Sequence, residues 1–131
     1  MINIQIVKKI LKTYEEAWVE QDIDKILSIF NKDGIYHERV LKEPFAGHDE
    51  IRKYWQSKVV EEQSKIKFKL LKYYICEDTV IAEWEAWFNS NIENAKIHMK
   101  EVAILEIKND KIQSLREYWQ SEKKSLKSIK Q

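Results

Sequence analysis

The chain is poor in the residues that punctuate, cross-link or strongly charge a protein. It has one proline, two glycines and one cysteine in 131 residues. A single thiol, Cys76, makes an intramolecular disulfide impossible. With an N-terminus that alternates apolar and charged residues too soon for a secretory h-region, it points to the reducing cytoplasm. So few glycines and prolines exclude long disordered linkers. No apolar run approaches the length of a membrane span, so no membrane partner is expected. Lysine and arginine number 23 against 22 acidic residues, a formal +1, which excludes a strong field for nucleic acid. His37, His48 and His98 show no metal-ligand spacing with one another or with Cys76. Neither a glycine-rich phosphate loop nor a Ser-His-Asp or Cys-His arrangement is present, so no cofactor and no metal are expected.

What is abundant is apolar and aromatic. The hydrophobic fraction is 44%, enough for the core of one ordinary domain. Five tryptophans, Trp18, Trp55, Trp84, Trp87 and Trp119, are many for this length. Each brings large apolar area and one N–H that wants a partner when buried. Lysines cluster at the end (Lys123, Lys124, Lys127 and Lys130), and the reading divides the chain into a domain over residues 1–121 and a solvated basic tail over 122–131.

Periodicity orders the elements. Val7, Leu11, Tyr14 and Trp18 make one helical stripe over residues 3–20. Asp22 is placed to cap a second, short helix in which Ile23, Ile26, Leu27 and Phe30 repeat the pattern. Asn31-Lys32-Asp33-Gly34 reads as a turn, residues 35–40 as a strand, and the stretch around Pro44 and Gly47 as loop. A third helix, capped by His48 or Asp49, aligns Ile51, Tyr54, Trp55 and Val59. Four strands follow over 65–76, 79–88, 96–107 and 111–119, joined by short polar turns and therefore antiparallel. Helices gathered in the first half cover one sheet face, which gives an α+β fold with a curved mixed or antiparallel sheet. Several strands carry apolar residues on both faces: Val102 and Ile104 oppose Ala103 and Leu105, and Trp84 opposes Trp87. A second copy packed on the outer face, a homodimer, accounts for this.

Tyr14, Asp22-Ile23-Asp24, Ile29-Phe30, Gly34, Glu38, Pro44, Gly47 and Ile51-Arg52, in that order, resemble the nuclear-transport-factor-2-like superfamily. The stretch GHDEIRKYW is similar to the third-helix signature of SnoaL-like domains, and AILEIKNDKIQSLREYW to their last hairpin. The resemblance implies a cone-shaped sheet wrapped around the three helices. It spans isomerases, polyketide cyclases, epoxide hydrolases, dehydratases and non-enzymatic binding modules, so fold alone selects no chemistry. Set beside ketosteroid isomerase, a member with a carboxylate base, a tyrosine donor and a protonated aspartic acid donor, Tyr14 matches the tyrosine and Glu38 the base. The second donor falls on or near Ala103. Alanine donates no proton, and the match breaks there.

Strand parity then assembles a pocket. With Glu38 inward, Tyr36 and Val40 are inward; with Ala103 inward, so are Glu101 and Met99; Leu115, Glu117 and Trp119 share one face. The family pattern places that face inside the cone. The candidate catalytic residues are Glu38 as base, Tyr14 as donor, and Glu101 and Glu117 as acid or water-positioning groups. Trp18, Trp55, Trp84, Ala103, Leu115 and Trp119 are the candidate ligand-binding residues. Carboxyls desolvated by indole rings and facing one another have raised pKa values and exchange protons near neutrality. Structural readings stand beside each: Tyr14 as a core residue, Glu38 at a solvated strand end, Glu101 and Glu117 paired with Arg52, Arg116 or a lysine, and Arg39 on the outer face. The expected function is binding of a small apolar or aromatic molecule, with cofactor-free acid–base chemistry (isomerase, cyclase, dehydratase or hydrolase type) or, alternatively, non-catalytic ligand binding or protein association.

Overall fold

A computed structural model describes residues 2–126. Helix α1, Ile4–Val19, starts where the Asn3 side chain accepts the backbone N–H of Gln5 at 2.7 Å, satisfying one of the free donors of the first turn. It buries Val7, Ile10, Leu11, Tyr14, Ala17 and Trp18, the stripe that periodicity marks. Gln21, at φ 56, ends it, and its side-chain amide donates to Val59 O at 2.8 Å and Gln63 O at 2.7 Å. Asp22 caps α2, Ile23–Ser28, through the Lys25 N–H.

The expected turn at 31–34 is instead part of strand β1, Phe30–His37. The strand bulges between Phe30 and Ile35, where its register against the last strand shifts, and this absorbs the turn-forming residues inside a strand. Gly34 allows it. A Cβ there would stand 2.9 Å from Asn31 O, 3.1 Å from Phe30 Cδ1 and 3.2 Å from Ile112 O. Two of these neighbours are backbone, so Gly34→Ala is expected to cost roughly 1–3 kcal/mol by overpacking, read as a lowered urea midpoint with an unchanged slope.

A two-residue strand β2, Phe45–Ala46, lies where loop was expected. Helix α3, Gly47–Tyr54, follows. Its cap is neither His48 nor Asp49: Ala46 holds the cap position, and Glu50 Oε1 reaches back to the Ala46 N–H at 2.8 Å. His48 bonds Phe30 O through Nε2 at 2.9 Å. The helix continues as a π-helical stretch, Trp55–Glu61.

The remaining strands are β3, Gln63–Cys76, β4, Thr79–Ser90, β5, Ala95–Lys108, and β6, Lys111–Ser125. Asn109 and Asp110, both at positive φ, make the tight β5–β6 turn. The strands form one open, six-stranded sheet in the order β2-β1-β6-β5-β4-β3. It is mixed, because β1 runs parallel to β6 while all other neighbours are antiparallel. The boundary drawn at residue 121 falls inside β6: Lys123 and Lys124 are strand residues, Lys123 pairing with Glu93 at 2.8 Å, while Lys127 and Lys130 lie outside the described residues.

The helices pack in the concavity of the sheet on Val80, Ala82, Trp84, Ala86, Ala103, Leu105 and Leu115, all buried. The convex face carries exposed Tyr74, Ile81 and Tyr118, and a Trp87–His98 stack with ring centroids 5.4 Å apart. No helix among the described residues is long and apolar enough to cross a membrane.

Candidate functional site

The concave face encloses a solvent-open cavity of about 190 Å³. Its floor comes from β5 and β6. Glu117 is opposite Ala103, and Glu101 opposite Trp119, so the two glutamates are diagonal neighbours on one face, within reach of each other. They are 3% and 6% exposed for Glu101 and Glu117, and their carboxyls are in contact. The alternative pairings do not occur: Arg52 faces Asp24, and Arg116 bonds Glu106.

Burial, repulsion from Glu117 and hydrogen bonding to it hold Glu101 well above the ordinary carboxyl range. Burial also raises Glu117, to about 7, against hydrogen bonds from Glu101, Tyr36 and Tyr14 that favour its anion. Glu101 is therefore the protonated partner and Glu117 the acceptor of its proton. Tyr14 and Tyr36 share a hydrogen bond of 2.8 Å, and Tyr14 lies 3.4 Å from Glu117 Oε1. Burial, reinforced by the negative charge of Glu117, raises both phenols well above 10, and Tyr54 likewise. All three stay protonated, as donors, at neutral pH. Glu101 Oε2 is buried without a partner among the described residues. The Trp84 N–H approaches Glu101 enough to favour its anion slightly, without completing a hydrogen bond.

The walls and mouth come from other elements. Trp18 lines the cavity with its N–H on Gln63 Oε1 at 2.7 Å. The π-helical stretch contributes Trp55, Lys58 and Val59; single π turns often occur at functional sites. Glu38 lies one residue beyond β1, lines the mouth, is 16% exposed at its side chain, and contacts Arg39 at 3.3 Å. Trp119 donates its N–H to Glu38 O at 3.1 Å. Arg39 is not an outer-face residue: it lines the mouth, its guanidinium 5.6 Å from the Trp119 ring centroid.

Thus Tyr14, Trp18, Glu38, Trp55, Glu101, Glu117 and Trp119 border one cavity. Three other candidates do not. Trp84, Ala103 and Leu115 are fully buried beneath it, because the helices cover their part of the sheet; Trp84 stacks on Tyr14 at 4.8 Å. Tyr36, Tyr54 and Gln63 also line the cavity, beyond the residues the sequence marks. Parity already turns Tyr36 inward, whereas Tyr54 sits on a helical apolar face that reads simply as core. Glu101 stands one inward step from Ala103 along β5. Among the described residues no group of His, Cys, Asp and Glu is arranged to hold a metal ion.

Residues 11–115 match the SnoaL-like domain family model. The chain belongs to the SnoaL-like domain family, within the nuclear-transport-factor-2-like superfamily. Its fold is similar to that of the epoxide hydrolase/cyclase-like enzyme SalBIII, of salinomycin pyran ring formation, at TM-score 0.78 and 22% identity over 92% of this chain and 95% of that one. It is similar to a hypothetical protein of ketosteroid isomerase-like fold from Catenulispora acidiphila in complex with trimethylamine (TM-score 0.74, 18% identity, 92% and 88% covered). It is also similar to an LEH-like epoxide hydrolase from M. tuberculosis (0.74, 12%, 88% and 84%). No curated protein matches the chain. At these identities the structures establish the shared fold.

Proposed function

We propose that the protein is a cofactor-free acid–base enzyme acting on a small, largely apolar molecule bound in the cone. The observation that carries this reading is the buried Glu101–Glu117 pair at the floor of an open, aromatic-walled cavity. Two titratable groups whose surroundings push them apart supply an acid and a base from one site. Glu101, holding its proton, is the acid toward a substrate oxygen. Glu117, near pKa 7, is a base matched to neutral pH. Tyr14 and Tyr36 donate to negative charge as it develops. Glu38 is the second candidate base, at the mouth. The cyclase, isomerase and epoxide hydrolase reactions named for proteins of this fold all need a proton moved at carbon or oxygen, and the pair fits that requirement without metal or cofactor.

The test is a turnover screen against small epoxides, enones and hydroxyketones, followed by substitution. Glu117→Gln is expected to lower kcat about 100-fold or more, the usual scale for losing a general base, and Glu38→Gln to change KM more than kcat. The reverse ranking moves the base role to Glu38. Full turnover in both variants removes the catalytic reading and leaves a binding module.

The homodimer through the convex face is part of the same proposal, supported by exposed Ile81 and Tyr118 beside Val102 and Ile104. Light scattering is expected to give twice the chain mass, and Tyr118→Lys to shift it toward the monomer. A monomeric parent protein overturns this part alone.

A further inference from the structure

The cavity is short of positive charge at its floor. At the mouth each charged group is already matched: Arg39 contacts Glu38, Lys58 contacts Glu62 at 3.2 Å, and Lys123 contacts Glu93 at 2.8 Å. The titratable groups facing the floor pair are Tyr14 from α1, Tyr36 from β1 and Tyr54 from α3, all neutral donors, and the Glu38 carboxylate just beyond β1, whose charge raises both glutamates further. No cation of the described residues reaches Glu101 or Glu117. Glu101 is 97% buried and borders the cavity, and apart from its contact with Glu117 no donor among the described residues completes a hydrogen bond to its carboxyl. A buried acceptor left open costs free energy unless a ligand fills it. The walls around it, Trp18, Trp55, Tyr36 and Trp119, present aromatic surface, the surroundings that favour a weakly hydrated cation.

We infer that the ligand of this cavity carries a protonated amine on a small apolar body, its N–H directed to the Glu101 carboxyl and its charge held between the Glu101–Glu117 pair and the aromatic walls. This deepens the proposed function and rests on it, by naming the substrate class. The volume, about 190 Å³, suits a body of roughly benzene size, since a dry engineered cavity of about 150 Å³ holds benzene. A cation at this position favours the ionised form of the pair, so ligand uptake expels a proton. Below the pKa of Glu117, about 7, affinity falls as pH falls, roughly tenfold per unit for one proton. The amine itself stays charged across that range.

Cyclohexylammonium and cyclohexanol share a body and differ in charge, which makes them the probe and its control. Isothermal titration of the intact protein at pH 8 is expected to show the ammonium binding at least tenfold more tightly. Repeating the titration at pH 6 in phosphate and in an amine buffer is expected to reveal proton release to the buffer. Glu117→Gln, which leaves no anion on the floor at pH 8, is expected to erase the preference, while circular dichroism shows the fold retained. If cyclohexanol binds the parent protein as well as the ammonium does, the inference of a cationic ligand fails and the pocket reading stands. If neither binds at either pH, the small-molecule pocket itself is wrong.

Discussion

Glu117→Gln is expected to stabilise the folded protein at pH 8 while removing turnover. The sign follows from the raised pKa. Folded Glu117 binds its proton more tightly than the unfolded chain does, so stability is highest below the unfolded value and falls as pH rises toward the folded one. A rise from 4.5 to about 7 corresponds to about 3 kcal/mol lost across that window. The glutamine variant has no charge to bury. Its stability should fall less steeply than the parent's between pH 4.5 and 7, the remaining slope coming from buried Glu101, and should exceed that of the parent above pH 7. Urea unfolding at half-unit pH steps checks this. A carboxylate retained at the expense of stability is what a functional site requires and a purely structural one does not.

The second large effect is destabilising. Trp84→Ala is expected to cost about 3–5 kcal/mol, the range for deleting a fully buried aromatic side chain. Trp84 is wholly inaccessible, stacked on Tyr14 and tilted against Phe68 with centroids 5.4 Å apart. Its loss leaves a void under the Tyr14 hydroxyl, so activity should fall along with stability. Trp119→Ala, at the partly exposed mouth, should cost little stability and act mainly on ligand affinity. Thermal unfolding of the two variants side by side separates a core tryptophan from a wall tryptophan.

That distinction marks where sequence reasoning stops. Alternation along β5 and β6 is strict, so once the family resemblance turns Ala103 and Leu115 inward, parity carries Glu101 and Glu117 with them, and burial agrees at each. Parity says which face a side chain takes, but not how far along the cone the helices fill that face. By face alone Trp84, Ala103 and Leu115 belong with the cavity, yet they are buried in the core beneath it. The bulge in β1 was hidden for a different reason. Asn31, Lys32, Asp33 and Gly34 carry strong local turn preference, and only pairing with β6, including the Ile112 N–H on Ile29 O at 2.7 Å, draws them into the sheet. The apolar pattern ends the final strand at Trp119, six residues short of its observed end, because Ser121–Ser125 is polar throughout. Its pairing with β5 from Ala95 to Met99 is a tertiary effect with no local apolar signature. The Arg39 position was missed because the chain leaves β1 after His37, where alternation no longer applies.

The proposed chemistry depends on two carboxyl groups sharing a proton at neutral pH on the floor of the cone. Carbon-13 NMR of protein labelled at the glutamate carboxyls, followed from pH 3 to 9, observes that proton directly. One buried glutamate signal is expected with a midpoint near 7, and a second that stays protonated beyond the ordinary carboxyl range, assigned by Glu117→Gln and Glu101→Gln. If every glutamate signal instead titrates at about 4 to 5, as free carboxyls do, the pair is solvated and ionised, and the acid–base site described here does not exist.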